Sequence, residues 1–89
     1  PIFISAIRQL GALTKASISI KDSLDNISKN SIDPLVKEMF EKAANDVDNG
    51  LSLSNTFEEY EFYVGNLAVA MVKLGEKTGE LGEALEDMA

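Results

Sequence analysis

The sequence predicts an all-α fold, a compact antiparallel bundle of six helices in a single domain that spans residues 1–89. Apolar residues recur at spacings of three and four along most of the chain, which places them on one face of a helix. Alternation of apolar and polar residues, the pattern of a half-buried strand, never extends beyond a few positions. The connections between periodic segments are two to four residues long, which suits helices packed against their neighbours.

The first two helices are indicated by apolar stripes separated by a serine-rich junction. The first stripe comprises Phe3, Ile7, Leu10 and Leu13. Its helix is predicted to end near Ala16. Ser17 or Ser19 then caps the second helix, and Ser19 with Asp22 resembles a capping box. The second stripe comprises Ile20, Leu24 and Ile27, and polar residues 28–31 close it.

The third and fourth helices have clear start signals. Asp33 is a good N-cap residue, and Pro34 suits the first helical position. The third stripe comprises Val36, Met39, Phe40, Ala43 and Val47. Asn49 and Gly50 end that helix. Ser52 is predicted to cap a short fourth helix, with Leu53, Phe57 and Tyr60 on its inner face.

The last two helices are predicted over residues 62–78 and from Glu80 onward. The inner face of the fifth helix is predicted to comprise Val64, Leu67, Ala68, Met71, Leu74 and Gly75. A glycine inside a helix costs about 1 kcal/mol relative to alanine, so Gly75 predicts a close crossing by another helix. Gly79 suits a left-handed helix end. The last stripe comprises Leu81, Ala84, Leu85 and Met88.

Composition argues against an enzyme. The chain has no Cys and no His, which removes disulfides, thiolate zinc ligands, thiol nucleophiles and the usual acid–base group near neutral pH. Acidic clusters at residues 58–61 and 80–87 offer carboxylates that could hold Ca²⁺ at an interface, but neither has the ligand spacing of an EF-hand. We therefore expect no catalytic residue, no metal and no cofactor.

The net charge of −7 argues against nucleic-acid binding, which depends on Lys and Arg. The charge is uneven: residues 1–37 carry a net +2, whereas residues 38–61 carry a net −6. The acidic middle suits a basic protein partner, although a solvated polar surface also explains it. The longest uncharged run, residues 62–72, is too short for a membrane span of about 20 residues. The start at Pro1 and the end inside a periodic helix indicate an excised domain.

An alternative function rests on Ser23. The tripeptide Asp22-Ser23-Leu24 matches the attachment signature of acyl carrier proteins, whose serine carries phosphopantetheine. Lys21 stands where those proteins usually have glycine, and Ser23 is predicted inside a helix rather than after a long loop. An ordinary exposed helical serine is the favoured interpretation.

Three segments carry a resemblance to a known family. The first is Arg8-Gln9-Leu10, followed by residues 11–16. The second is Asp46-Val47-x-x-Gly50-x-Ser52-Leu53-Ser54. The third is Gly75-Glu76-x-x-Gly79-x-Leu81, followed by Leu85-Glu86-x-x-Ala89. In this order and spacing they resemble the repeat of the type II secretion system protein F family, the inner-membrane platform proteins of type II secretion and type IV pilus assembly. That family usually has Gly at the position of Ser17, and a proline-containing link at residues 58–62.

The resemblance implies a cytoplasmic domain of a polytopic inner-membrane protein, attached to the membrane through segments outside this chain. Its partners would be the assembly ATPase, other platform proteins, and pilin or pseudopilin through the membrane part; homodimerisation is left open. We interpret the motif residues as structural: Arg8, Gln9, Leu10, Gly50, Ser52, Leu53, Ser54, Gly75, Glu76, Gly79 and Leu81. The hypothesis for the surfaces is that Glu58, Glu59 and Glu61 face the ATPase, while Arg8, Lys15 and Lys21 lie near anionic lipid.

Overall fold

The computed structural model describes residues 2–89, and the part it describes contains helices and connections but no strand. Seven helices follow one another: α1 (Ile2–Lys15), α2 (Ile20–Asn30), α3 (Pro34–Asp48), α4 (Leu53–Glu59), α5 (Glu61–Val64), α6 (Asn66–Thr78) and α7 (Leu81–Met88). The all-α class is confirmed. The described chain has one helix more than the six predicted, and the antiparallel order stays a prediction.

The core lies where the predicted stripes converge. Helix α2 packs along α3, α1 packs along α7, and α4 and α7 both contact α6. Apart from Val72 in α6, the most deeply buried large apolar side chains are predicted stripe residues: Ile7, Leu10, Leu24, Val36, Met39, Phe40, Phe57 and Leu85. Hydrophobic periodicity therefore identified the main core positions of α1, α2, α3, α4 and α7, but not those of α6; α5 contributes no buried residue.

The predicted helix over residues 62–78 was wrong in two respects. Gly65 has φ +90° and ψ 158°, a backbone conformation open essentially to glycine alone, and it separates the short α5 from α6. Helix α6 also presents a different face to the core, because Val69 and Val72 are buried whereas Leu67 and Leu74 are exposed. Apolar residues surround much of this helix, so periodicity alone did not fix which side packs inward.

Two N-terminal caps form as predicted. Ser19 Oγ accepts a hydrogen bond from the Asp22 backbone N–H at 3.1 Å, so Ser19 rather than Ser17 caps α2. One carboxylate oxygen of Asp33 accepts from the backbone N–H groups of Leu35 and Val36, both at 3.0 Å. These bonds satisfy donors that have no partner within the helix.

Three helices, α1, α3 and α6, end in a hydrogen-bonded motif that turns the chain through a left-handed residue. At the end of α6 the Glu80 N–H donates to the Gly75 carbonyl at 3.0 Å, and Gly79 has φ +78°. At the end of α3 the Leu51 N–H donates to the Asp46 carbonyl at 2.8 Å, and Gly50 has φ +85°. At the end of α1 the Ile18 N–H donates to the Leu13 carbonyl at 3.0 Å. There the left-handed residue is Ser17, with φ +67°, the only non-glycine residue with positive φ within residues 2–89.

Replacing Ser17 with glycine should stabilise the domain. A side chain in the left-handed region costs about 1–2 kcal/mol, which glycine avoids. Glycine also makes the unfolded chain more flexible, and this offsets part of the stabilisation. We expect the free energy of unfolding to rise by about 0.5–1 kcal/mol, with a melting temperature about 3–6 °C higher in circular dichroism. Ser17→Ala, which keeps Cβ, is the control and should bring no gain. An unchanged or lower melting temperature for Ser17→Gly would contradict the strain at this residue.

Candidate functional site

The second and third motifs of the sequence meet where α4 begins beside the end of α6. Glu76 Oε2 accepts a hydrogen bond from the Ser54 backbone N–H at 3.1 Å, across 22 positions in sequence. Ser52 occupies the N-cap position, but its side chain makes no capping bond and instead pairs with Ser54 Oγ at 2.9 Å. The prediction that the Ser52 side chain caps α4 was therefore wrong, because a carboxylate from α6 satisfies the free N–H.

Asp46 joins α3 to α4 from a position that is only 5% exposed. Its carboxylate accepts from Thr56 Oγ1 at 2.6 Å, from Asn55 Nδ2 at 3.3 Å and from Lys42 Nζ at 2.7 Å. Burial by itself would raise the pKa of Asp46, but the donors from Lys42, Thr56 and Asn55 outweigh it and hold the pKa below its ordinary value. In the sequence Asp46 stands out only as part of the second motif, and no local pattern predicts this network.

Tyr60 provides a second polar connection between α3 and the end of α4. Its hydroxyl donates to Glu38 Oε2 at 2.7 Å. Burial, followed by the bond to this carboxylate, raises the pKa of Tyr60 to about 12. The phenol therefore stays protonated at neutral pH and acts here as a hydrogen-bond donor.

The predicted close crossing at Gly75 is present. A Cβ atom built on Gly75 would lie 2.9 Å from Leu81 Cα and 3.0 Å from Ala84 Cβ, so α7 packs directly on the α6 backbone. Gly79 ends α6 with φ +78° and ψ 13°, the left-handed conformation predicted for it. The two glycines together fold α7 back against α6.

A second close crossing, between α1 and α7, was not predicted. A Cβ atom on Gly11 would lie 3.2 Å from the Gly82 carbonyl oxygen, and one on Gly82 would lie 2.7 Å from Lys15 Cγ. Within the first motif, Leu10 is fully buried while Arg8 and Gln9 are exposed on α1. This motif therefore belongs to the α1–α7 packing and not to the junction of α4 with α6.

The predicted acidic surface is partly neutralised. Glu58 pairs with Lys73 and Glu59 pairs with Lys42, each at 2.9 Å. Glu61 is exposed in the first turn of α5. These are surface ion pairs with about half of each carboxylate side chain in contact with water.

Two of the three predicted basic residues are also paired. Lys15 contacts Glu86 and Lys21 contacts Asp25, each at 2.9 Å. Hydrogen bonding to these carboxylates, with their charge, raises the pKa of both lysines. Arg8, Lys15 and Lys21 lie on α1 and α2, on helices other than those that carry the acidic surface.

The Ser23 alternative is contradicted. Ser23 is 0% exposed, and its Oγ donates to the Ser19 carbonyl at 2.9 Å inside the first turn of α2. A carrier serine has to reach solvent and a modifying enzyme, so this residue is not a phosphopantetheine site. The expectation of an exposed serine was wrong too, because Ser23 lies beside Leu24 on the packed side of the helix.

The described residues offer no ready metal site, since no three carboxylates among residues 2–89 are grouped to hold an ion. None of the helices described is both long enough and apolar enough to cross a lipid bilayer.

Comparison with known proteins gives a consistent result. The family model described as Type II secretion system (T2SS), protein F matches residues 6–89. A protein transport protein HofC homolog of Haemophilus influenzae is 25% identical over 93% of the chain and 20% of its own length. Type II secretion system protein F of Vibrio cholerae is 29% identical over 92% of the chain and 20% of its length. The type 4 fimbrial assembly protein PilC of Pseudomonas putida is 26% identical over the same shares.

The chain thus spans about a fifth of the length of the curated relatives it matches. The matched region contains all three motifs singled out in the sequence and the helix junctions that they form. This chain belongs to the type II secretion system protein F family.

Proposed function

We propose that the chain is a cytoplasmic domain of an inner-membrane assembly platform, and that it couples the assembly ATPase to the movement of pilin or pseudopilin subunits. The observation that carries this proposal is the family match over residues 6–89, with relatives named for protein transport, type II secretion and fimbrial assembly. The proposed role is transmission of force through protein contacts, without chemistry of its own.

The packing supports a mechanical role. The buried Asp46 network ties α3 to α4, and Glu76 ties α4 to α6. Close glycine crossings fix α7 against both α6 and α1. Displacement of one helix is therefore passed to its neighbours, because packed interiors deform little.

The surface proposed to contact the ATPase comprises Glu58, Glu59 and Glu61. Exposed ion pairs such as Glu58–Lys73 are worth only about 0–1 kcal/mol, so a partner with a denser basic surface can replace them. Glu61 has no ion pair among residues 2–89. The basic side chains Arg8, Lys15 and Lys21 are proposed to lie toward anionic lipid.

Charge reversal tests this surface. The triple variant Glu58→Lys, Glu59→Lys, Glu61→Lys should weaken binding to the cognate assembly ATPase by about tenfold or more in low salt, and the difference should shrink as salt is added. Isothermal titration at several salt concentrations measures both effects. The matched control reverses Asp22, Glu41 and Asp48, three exposed acidic residues of α2 and α3, with the same change in net charge.

Each result of that titration has a clear meaning. Loss of binding in the first variant alone supports contact through residues 58–61. An equal loss of affinity in the control would mean that binding depends on the net charge of the domain and not on this surface. Unchanged affinity of the first variant in low salt would rule out this surface as the ATPase contact.

A further inference from the structure

Helix α6 exposes a row of large apolar side chains. Leu67 is 70% exposed and Leu74 is 61% exposed, and the half-buried Met71 lies between them. Their spacing of four and three residues places all three on one side of the helix. This is the side that the sequence predicted to face the core and that the fold leaves open.

The row borders two neighbouring clefts. Between α6 and α7 a cleft of about 290 Å³ is lined by Met71, Leu74, Gly75 and Ala84 among others. A second cleft of about 240 Å³, on the side of α1, is lined by Phe3, Val64, Leu67 and Met71 among others. Met71 and Asp87 line both clefts, so the two clefts are neighbours along α6, and together they form the α6–α7 groove. Leu67, Met71 and Leu74 give the groove an apolar floor over about two helical turns.

One rim of this groove is acidic. Glu80, at the N-cap of α7, is followed at spacings of three and four by Glu83 and Asp87, and all three line the first cleft. None of them has an ion pair among residues 2–89, whereas the neighbouring Glu86 is occupied by Lys15. The groove therefore combines an apolar floor with three carboxylates on the α7 side that form no ion pair of their own among residues 2–89.

We propose that the α6–α7 groove docks a basic amphipathic helix of a partner protein. Leucine-like side chains at positions i, i+3 or i+4, and i+7 would lie along Leu67, Met71 and Leu74. Lysine or arginine beside them would face Glu80, Glu83 and Asp87 and fix the orientation.

The acidic rim argues against two other occupants. A second copy of this chain carries the same net charge of −7 and brings a second acidic rim to the contact. An anionic lipid surface repels the same three carboxylates. A cationic helix is the occupant whose charge complements the groove.

The proposed groove is separate from the surface proposed for the ATPase. Glu58 pairs with Lys73, which lies on the flank of α6 that faces α4. Gly75 and Leu74 lie toward α7, on the other flank. The two proposals use different residues and fail independently.

The test is a titration of the isotopically labelled chain with a synthetic helical peptide. The probe, about 18 residues long, carries Leu at helical spacing and Lys elsewhere; a comparison peptide carries Glu in place of Lys. We expect amide shifts along α6 and α7 with the Lys peptide and little binding of the Glu peptide. The double variant Leu67→Ser, Leu74→Ser should bind the Lys peptide about tenfold or more weakly than the wild type does.

Matched variants distinguish binding at this site from nonspecific hydrophobic binding. Ile32→Ser removes an apolar side chain that is 90% exposed and outside the groove, and it should bind as the wild type does. The triple variant Glu80→Gln, Glu83→Gln, Asp87→Asn should lower the affinity for the Lys peptide and make that affinity less dependent on salt. Circular dichroism confirms that each variant keeps the fold.

Several results would overturn the proposal. If the Leu67→Ser, Leu74→Ser variant binds the Lys peptide as tightly as the wild type, or if the amide shifts centre on other helices, the peptide binds elsewhere. A dimer in sedimentation that the same double variant dissolves would make the groove a contact between copies of this chain. Binding to phosphatidylglycerol vesicles that depends on these two leucines would assign the face to lipid.

Discussion

Replacing Asp46 with alanine should lower the free energy of unfolding by about 3 kcal/mol. The substitution removes the acceptor of two side-chain donors on α4 and leaves the buried hydroxyl of Thr56, which is 0% exposed, without its partner. For a domain of this size the loss corresponds to a melting temperature lower by about 12–24 °C. Thermal and urea unfolding followed by circular dichroism measure it.

The control lies two residues away on the same helix. Asp48 is exposed at the end of α3, and Asp48→Ala should change the free energy of unfolding by no more than about 0.5 kcal/mol. A similar small effect for Asp46→Ala would mean that the network between α3 and α4 contributes little to stability.

The same residue makes stability depend on pH in acid. The pKa of Asp46 is lower in the folded chain than its ordinary value of 3.8, so the folded state holds the proton less tightly than the unfolded state. Its contribution is therefore complete well above pH 3.8 and is lost as pH falls through the folded pKa. The gap in stability between the wild type and Asp46→Asn should narrow as pH falls below that value; a gap independent of pH would contradict the ionised network.

Gly75→Ala should cost about 2 kcal/mol, although alanine is the better helix former by about 1 kcal/mol. The new methyl group would lie 2.9 Å from Leu81 Cα, a backbone atom that moves only if α7 shifts as a whole. Because α7 forms one wall of the proposed docking groove, the same shift should weaken the Lys peptide. Urea unfolding measures the stability, and the peptide titration measures how much affinity is lost when the groove changes shape.

Gly82→Ala is the comparison that isolates the cause. Its methyl group would lie closer to a neighbour, at 2.7 Å, but that neighbour is Cγ of the partly exposed Lys15 side chain, which can move aside. We expect stability within about 0.5 kcal/mol of the wild type or slightly above it, because the helix gains propensity. Gly75→Ala that is as stable as the wild type would show that the α6–α7 crossing is not tight.

Features that depend on neighbouring residues were predictable from the chain. Asp33 and Ser19 cap their helices, and Gly50 and Gly79 end theirs, because these bonds close within a few residues. The core stripes of α1, α2 and α3 follow from spacing alone. The family resemblance built on the three motifs is confirmed by the match over residues 6–89.

Features that depend on distant residues required the folded chain. Glu76 caps α4 across 22 positions, and Asp46 meets Thr56 only when α3 and α4 pack together. No local pattern distinguishes these carboxylates from exposed ones. Gly75 did predict a close crossing, but the sequence did not indicate that Leu81 and Ala84 make the contact.

The orientation of α6 is the clearest case. Its sequence carries apolar residues on two sides, so the spacing is compatible with either side facing inward. The break at Gly65 and the packing of α4 and α7 select Val69 and Val72 for the core and leave Leu67 and Leu74 in solvent. Local capping residues such as Asp33 and Gly79 fix several helix ends, whereas the side that a helix buries depends on which neighbours pack against it, and that contact energy exists only in the assembled fold.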